Sequence, residues 1–412
     1  PQEPHSRALG QVFQHALRRC AELAMRVASD ADGKPIWARW VLDMHRPLPT
    51  ECRIRRATVR VDRLGPNCRW CVLFTVESVG DPVTHCGTGV VAIDVGWRLL
   101  GDDIRVAVWR DNAGHSGDLR LDAKSVQALR EPAELQSERD LRFNAARVAL
   151  RAWLDSQSEA PAWLLEATKT MHAWRSPSRL ATLWHRWGQN GLSAAEDERE
   201  ARAYDALTAW YWRDRHLWAC EARRRARARG RRRETYRIFA AELARRYGTI
   251  LLEGDSKEHK PFDLHRLARL PATEVIGAGT EAIRQNRKLA AIGTLRDAII
   301  AATASRGGAV GYVAAKETTR TCHVCGHVET YVESSSVHHC CTACGAKWDQ
   351  DVNAAAVILQ RWLARSAGGG QDAERVRGFS QNRETRWMKA KRLAREKAAR
   401  QEGKVDNDTD RE

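Results

Sequence analysis

The sequence predicts an α/β protein: a meander of buried strands, split by a long helical insertion and interrupted by a zinc ribbon, behind a partial helical and β lead-in. Three observations carry this. Short apolar runs bounded by turn residues lie at 88–122, 248–253 and 310–315. The stretch from 124 to 247 is helical in pattern almost throughout. Two Cys-x2-Cys pairs stand fifteen residues apart, at 322–325 and 341–344.

At 412 residues the chain is long enough for two or three domains. No run of 18 apolar residues occurs, which excludes a membrane-spanning helix. No apolar leader follows Pro1, and a chain that opens without Met is expected to have been trimmed. Lys plus Arg number 68 against 52 Asp plus Glu, a net charge of +16. That excess points to a polyanionic partner, most simply nucleic acid, over a basic enzyme that binds none. Eleven cysteines without a secretory leader argue against a disulfide scaffold, and five of them fall at 322–344.

In chain order, 7–29 reads as an amphipathic helix, with Leu9, Val12, Phe13, Leu17, Cys20, Leu23 and Val27 at helical spacing. Residues 50–78 switch to period two, with a turn at Gly65-Pro66-Asn67. Cys68 and Cys71 there read as core-packing residues. VVAIDV is a buried strand, Ile104–Trp109 its return and 118–122 a third, the way an RNase H-like fold begins. Eight Trp between 153 and 218 predict that the helical insertion has its own core. GTILLE and VGYVAA return to strand, 278–305 and Asp351–Ala364 read as helices, and Gly368–Gly370 as a linker. One basic helix is expected near 386–400.

Cys322, Cys325, Cys341 and Cys344 supply four thiolates, which complete a tetrahedral Zn²⁺ and leave no open position, so the site is structural. His338, His339 and Cys340 are the competing ligands. Carboxylates mark three further places. Asp94 sits inside an apolar strand, Glu253 ends another, and Asp349 and Asp351 open an apolar helix, where one of them can serve as the cap. Asp94 and Glu253 each alone read as satisfied core carboxylates, whereas two acids beside a metal ribbon are less easily dismissed. Together, an Asp, a Glu and an Asp from two strands and a helix can hold two Mg²⁺ about 4 Å apart and hydrolyse a phosphodiester.

The order strand-Asp, helical insert, strand-Glu, four-cysteine ribbon, D-x-N-A-A resembles the RuvC domain of the type V CRISPR effectors and their transposon-encoded relatives, the TnpB proteins. The resemblance covers roughly residues 50–365. AIDVGWR is similar to the first motif, ILLEGDS to the second and DQDVNAA to the third, so the catalytic places fall on Asp94, Glu253 and Asp351. The 158 residues between Asp94 and Glu253 favour a CRISPR effector over TnpB. Only 93 residues precede Asp94, so much of the family's wedge and recognition lobe is missing here. The GWR after Asp94 looks most like subtype M, whose members are thought to bind DNA and silence it without cutting.

The resemblance implies the following division: 1–49 the helical end of a recognition lobe, 50–87 part of a β wedge, 88–123, 248–315 and 349–366 the three RuvC parts, 124–247 a helical insertion with an Arg-rich helix, 316–348 a zinc ribbon that binds target nucleic acid, and 367–412 a charged flexible tail. It implies a guide RNA (crRNA), double-stranded target DNA, no membrane, and a prokaryotic cytoplasm. RRRARARGRRR supplies Arg223, Arg224, Arg225, Arg227, Arg229, Arg231, Arg232 and Arg233 as phosphate contacts, because like charges so close gain only from a polyanion. The expected function is RNA-guided, Mg²⁺-dependent DNA cleavage. The alternatives are RNA-guided silencing without cleavage and a guide-free resolvase or transposase.

Overall fold

The computed structural model describes residues 10–14, 20–44, 52–78, 87–157, 160–190, 198–255, 260–261, 280–330 and 337–367. The chain divides into two compact units: residues 1–81 with 135–223, and residues 82–134 with 224–412.

The first unit opens on β structure. Strands β1 (Gly10–Gln14), β2 (Cys20–Ser29) and β3 (Pro35–Asp43) form an antiparallel three-stranded sheet. This corrects the helix expected over 7–29 and the helical lead-in over 1–49. Phe13 pairs with Glu22, and Leu23 with Trp40. The apolar spacing at i, i+3 and i+4 concealed a period-two pattern in β2, where Leu23, Met25 and Val27 alternate with Glu22, Ala24 and Arg26. The β2–β3 turn is locally encoded. The Asp30 carboxylate accepts the Asp32 and Lys34 N–H groups, and Gly33 adopts φ of +78°.

Strands β4 (Cys52–Leu64) and β5 (Asn67–Ser78) form a long hairpin through Gly65 and Pro66. Gly65 has φ of +66°, and a Cβ there would sit 2.7 Å from the Trp218 carbonyl oxygen, so conformation and space both require glycine. The hairpin pairs only with itself among the described strands, which leaves Cys68 exposed and Cys71 half-buried. The core role expected for that pair is corrected accordingly. Part of α1 (Ala123–Asp155), α2 (Ala162–Thr168), α3 (Pro177–Asn190) and part of α4 (Glu198–Arg246) build the helical core of this unit. Trp174, Trp187 and Trp210 are buried in it with Leu164, Met171 and Leu180. Buried Trp187 donates its indole N–H to Glu200 at 2.9 Å, so the ring brings no unpaired donor inside. Trp212 is 61% exposed and lies outside that core.

The second unit is organised by a sheet in the order β8 (Ser116–Leu121), β7 (Asp103–Asp111), β6 (Gly89–Leu100), β9 (Tyr247–Asp255) and β11 (Ala309–Ala314), with the two-residue β10 (Lys260–Pro261) against the end of β9. β6 pairs parallel with β9 and antiparallel with β7, and β11 is parallel to β9. A strand covered on both faces reads as a continuous apolar run, and Val91, Ala92 and Ile93 are fully buried. Val91, Ile93, Ile250 and Leu252 face a core closed by α4, α5 (Thr280–Ala290) and α6 (Ile292–Ser305). Ala92, Leu251 and Val313 face the opposite way, against Ile358 and Leu359 of α7 (Gln350–Ala367).

The helix expected over 278–305 is two helices, broken at Ala291, whose φ is +44°. The break is held from α4. Arg232 donates to the Leu289 carbonyl and Tyr236 to that of Ala290, satisfying oxygens that a helix end leaves without partners. The linker at 368–370, the helix expected near 386–400 and the tail lie outside the described residues.

Candidate functional site

The four ribbon cysteines converge. All four Sγ atoms lie within 4.8 Å of one another, with Cys322 to Cys344 at 3.7 Å and Cys325 to Cys341 at 3.6 Å. The two halves are built alike. Gly326 donates to the Cys322 carbonyl and Gly345 to the Cys341 carbonyl, each at 2.9 Å, with φ of +78° and +75°. These left-handed glycines turn the chain back around each Cys-x2-Cys pair, and the Val324 N–H approaches the Cys322 sulfur at 3.4 Å. Burial works against the Cys322 thiolate, but the N–H groups of Cys325 and Val324 bring its pKa below the ordinary thiol value. Burial pushes the Cys341 thiol up to about 12. Four sulfurs at these distances become thiolates together only around a cation, and the donor set fits Zn²⁺. His338, His339 and Cys340 form β12 (His338–Cys340), paired with β13 (Lys347–Asp349), and none of the three joins the four-atom cluster.

Sheet alternation places the acids. Asp94 follows Val90 and Ala92 on the α7 face of β6. Glu253 follows Leu251 on the same face of β9, and the register pairing Ile93 with Leu252 sets the two acids on neighbouring strands. Asp351 lies in the first turn of α7, the helix covering that face. Asp94 is 9% exposed. Burial, then the charges of Glu253 and Asp351, push its carboxyl well above the ordinary range, against Arg105 and Arg98. Glu253 is raised too, first by burial, although the Thr318 hydroxyl donates to it at 2.9 Å and Arg296 and Arg361 act against the shift.

Two arginines that the sequence reading left without a role complete this face. Arg98 on β6 grips Asp351 through both oxygens, Nε to Oδ2 and Nη2 to Oδ1, each 3.1 Å. Arg105 on β7 donates to Asp351 Oδ2 and pairs with Asp349 at 2.9 and 3.0 Å. The register sets Arg98 opposite Arg105. Asp349 is the helix cap: its Oδ1 accepts the N–H groups of Asp351 and Val352 at 3.0 and 3.2 Å. Burial opposes the Asp349 charge, but Arg105 and these N–H groups hold its pKa below the ordinary value. As this face is folded, Asp351 accepts three guanidinium hydrogen bonds across its two oxygens, so the arginines stand where a cation would have to compete for that carboxylate.

Asn353 joins the ribbon to α7. It is fully buried, donates to the Thr318 and Thr321 carbonyls at 3.3 and 2.7 Å, and accepts the His323 N–H at 3.0 Å. The ribbon is thereby fixed to the helix that carries Asp351. The Arg-rich run lies on α4. Arg223, Arg224, Arg227, Arg229, Arg231 and Arg233 are exposed, whereas Arg225 and Arg232 are half-buried. Arg224 pairs with Glu131 at 3.3 Å, and Arg232 serves the helix end described above. Among the described residues no helix is long and apolar enough to cross a membrane.

Residues 293–358 match the family model of the Cas12f1-like TNB domain. The CRISPR-associated DNA-binding protein Cas12m of Allomeiothermus silvanus is 36% identical over 344 residues, covering 82% of this chain and 61% of that protein. Its namesake from Mycolicibacterium mucogenicum is 32% identical over 383 residues, covering 86% and 61%. A solved Cas12f1–sgRNA–target DNA complex aligns at 14% identity and a TM-score of 0.35, covering 85% of this chain and 61% of that one. The chain is similar to the compact type V CRISPR effectors and, within them, to the Cas12m proteins of subtype M. It spans 54–61% of the length of the first three curated relatives it matches.

Proposed function

We propose that the chain is the RuvC-bearing part of an effector that a guide RNA (crRNA) directs to double-stranded DNA in a prokaryotic cytoplasm, and that holds its target without cutting it. The observation carrying this reading is the acidic face itself. Asp94, Glu253 and Asp351 converge on one side of an RNase H-like strand order, and Asp351 is engaged by Arg98 and Arg105. The relatives at 36% and 32% identity carry the name DNA-binding protein, in keeping with it. The ribbon takes a structural Zn²⁺ through Cys322, Cys325, Cys341 and Cys344. The exposed arginines of α4 contact phosphates, and base pairing with the guide reads the sequence.

A second reading is Mg²⁺-dependent cleavage with Asp94, Glu253 and Asp351 as the catalytic acids. The convergence of three carboxylates favours it. One experiment separates the two. The protein, a guide RNA and matched double-stranded DNA are mixed with Mg²⁺, and aliquots are run native and denaturing. A shifted, uncut duplex is expected. Cut strands would replace this reading with the second, and no guide-dependent shift would sink both.

A further inference from the structure

We propose that Arg98 and Arg105 are a built-in countercharge that excludes divalent metal from the acidic face, so that the site is silenced by its own arginines while all three acids are present. The inference deepens the reading above and rests on the acidic face being the RuvC-like site.

The acids of this face already stand against arginines without any metal. Asp94, Glu253, Asp349 and Asp351 contribute four carboxylates. Arg98 and Arg105 reach Asp351, Arg105 also reaches Asp349, and Arg296 and Arg361 act on Glu253, making four guanidinium groups. A pair of dications at this place would double the positive charge. Metal binding also needs free carboxylate lone pairs. Of the four lone pairs of the Asp351 carboxylate, Arg98 takes one on Oδ1, and Arg98 and Arg105 together take both on Oδ2, so a metal would compete with three guanidinium hydrogen bonds.

The clamp is made from rigid parts. Both arginines project from paired strands, at the one register position where β6 and β7 set them opposite each other. Arg105 is 6% exposed, so its charge is compensated by protein groups rather than water. Arg98 is held from a second side, because its Nη2 also donates to Gln350 at 3.1 Å. A planar guanidinium that grips both oxygens of a carboxylate fixes its orientation as well as its charge. Asp351 is therefore held toward the β6–β7 side by three hydrogen bonds. The residue types that mark a metal site in the sequence are present, and three of the four lone pairs of Asp351 are occupied by arginine.

The test is Mn²⁺ binding to the zinc-loaded protein without guide or DNA, read from the electron paramagnetic resonance of free Mn²⁺. The unmodified protein is expected to show no stoichiometric binding at millimolar metal. Arg98→Met frees Oδ1, and binding should tighten at least about tenfold, or about 1.4 kcal/mol. Asp351→Asn in that background should abolish the gain, and Arg98→Lys, which keeps the charge, should retain most of the exclusion. Stoichiometric binding by the unmodified protein that disappears in Asp94→Asn would overturn the proposal without any arginine variant having to fold. So would an Arg98→Met protein that melts normally and gains no affinity. Metal binding here does not involve guide or DNA, so a failed gel shift leaves this result untouched.

Discussion

The four sulfurs of the ribbon are approached by backbone N–H groups, whereas the four carboxylates of the acidic face stand among four arginines. Both regions gather metal-ligating side chains that are far apart in sequence. In the ribbon, dipoles alone cannot support four thiolates, so the cluster is incomplete until a cation enters. On the acidic face the countercharge is already covalently part of the fold. Ligand identity and spacing therefore describe the ribbon adequately and the acidic face poorly. What decides between a metal site and an ion-pair network is whether the protein itself neutralises the ligands.

The comparison can be broken most forcefully at the ribbon. Removing Zn²⁺ with a chelator, or making Cys341→Ser, should cost about 10 kcal/mol of local folding free energy, the scale of structural zinc in small domains. Zinc content by mass spectrometry and amide exchange over 320–346 would read this. A ribbon that keeps its protection without metal would end the contrast. On the acidic face, Arg105→Ala should destabilise by about 3–5 kcal/mol, because Asp349 and Asp351 lose their shared partner inside the protein. Chemical denaturation measures it, and a loss below about 1 kcal/mol would show that water already screens the pair.

Asn353→Ala tests the joint between the two regions. Its buried amide serves Thr318, Thr321 and His323, and its loss should cost about 3 kcal/mol by stranding those groups. Zinc stoichiometry should stay intact, which separates the joint from the ribbon. The smallest effect is a pH dependence at Asp349. Its folded pKa lies below the ordinary value, so its contribution is present above that value and is lost as pH falls through the folded one. Asp349→Asn should flatten the acid side of the stability profile. An unchanged acid limb would show that the Arg105 pair contributes nothing there.

Much of this was legible in the chain. The cysteine knuckles were readable because each is a local object, closed by a glycine within four residues of its first Cys. The strand runs VVAIDV and GTILLE were readable because strands buried on both faces must be apolar throughout. Asp94 and Glu253 stood out as charges in such runs. The lead-in misled because its helical spacing and its period-two pattern overlap, and only pairing with β3 selects one. Arg232, read as a phosphate contact, turned inward because Ala291 breaks a helix 59 residues later and leaves carbonyls for it to satisfy.

The sequence by itself determined the cast of side chains: four thiols at knuckle spacing, three acids at the ends and centres of apolar elements, and an arginine run on one long helix. Tertiary structure alone decided their partners. Arg98 and Arg105 lie more than 240 residues from Asp351 along the chain, and nothing local marks them as its countercharge. The pairing depends on a strand register and on the helix that covers one face of the sheet. Electrostatic neutralisation acts through space and over a few ångströms, so the chain's order of residues specifies the ligands while the packed fold specifies whether they are free.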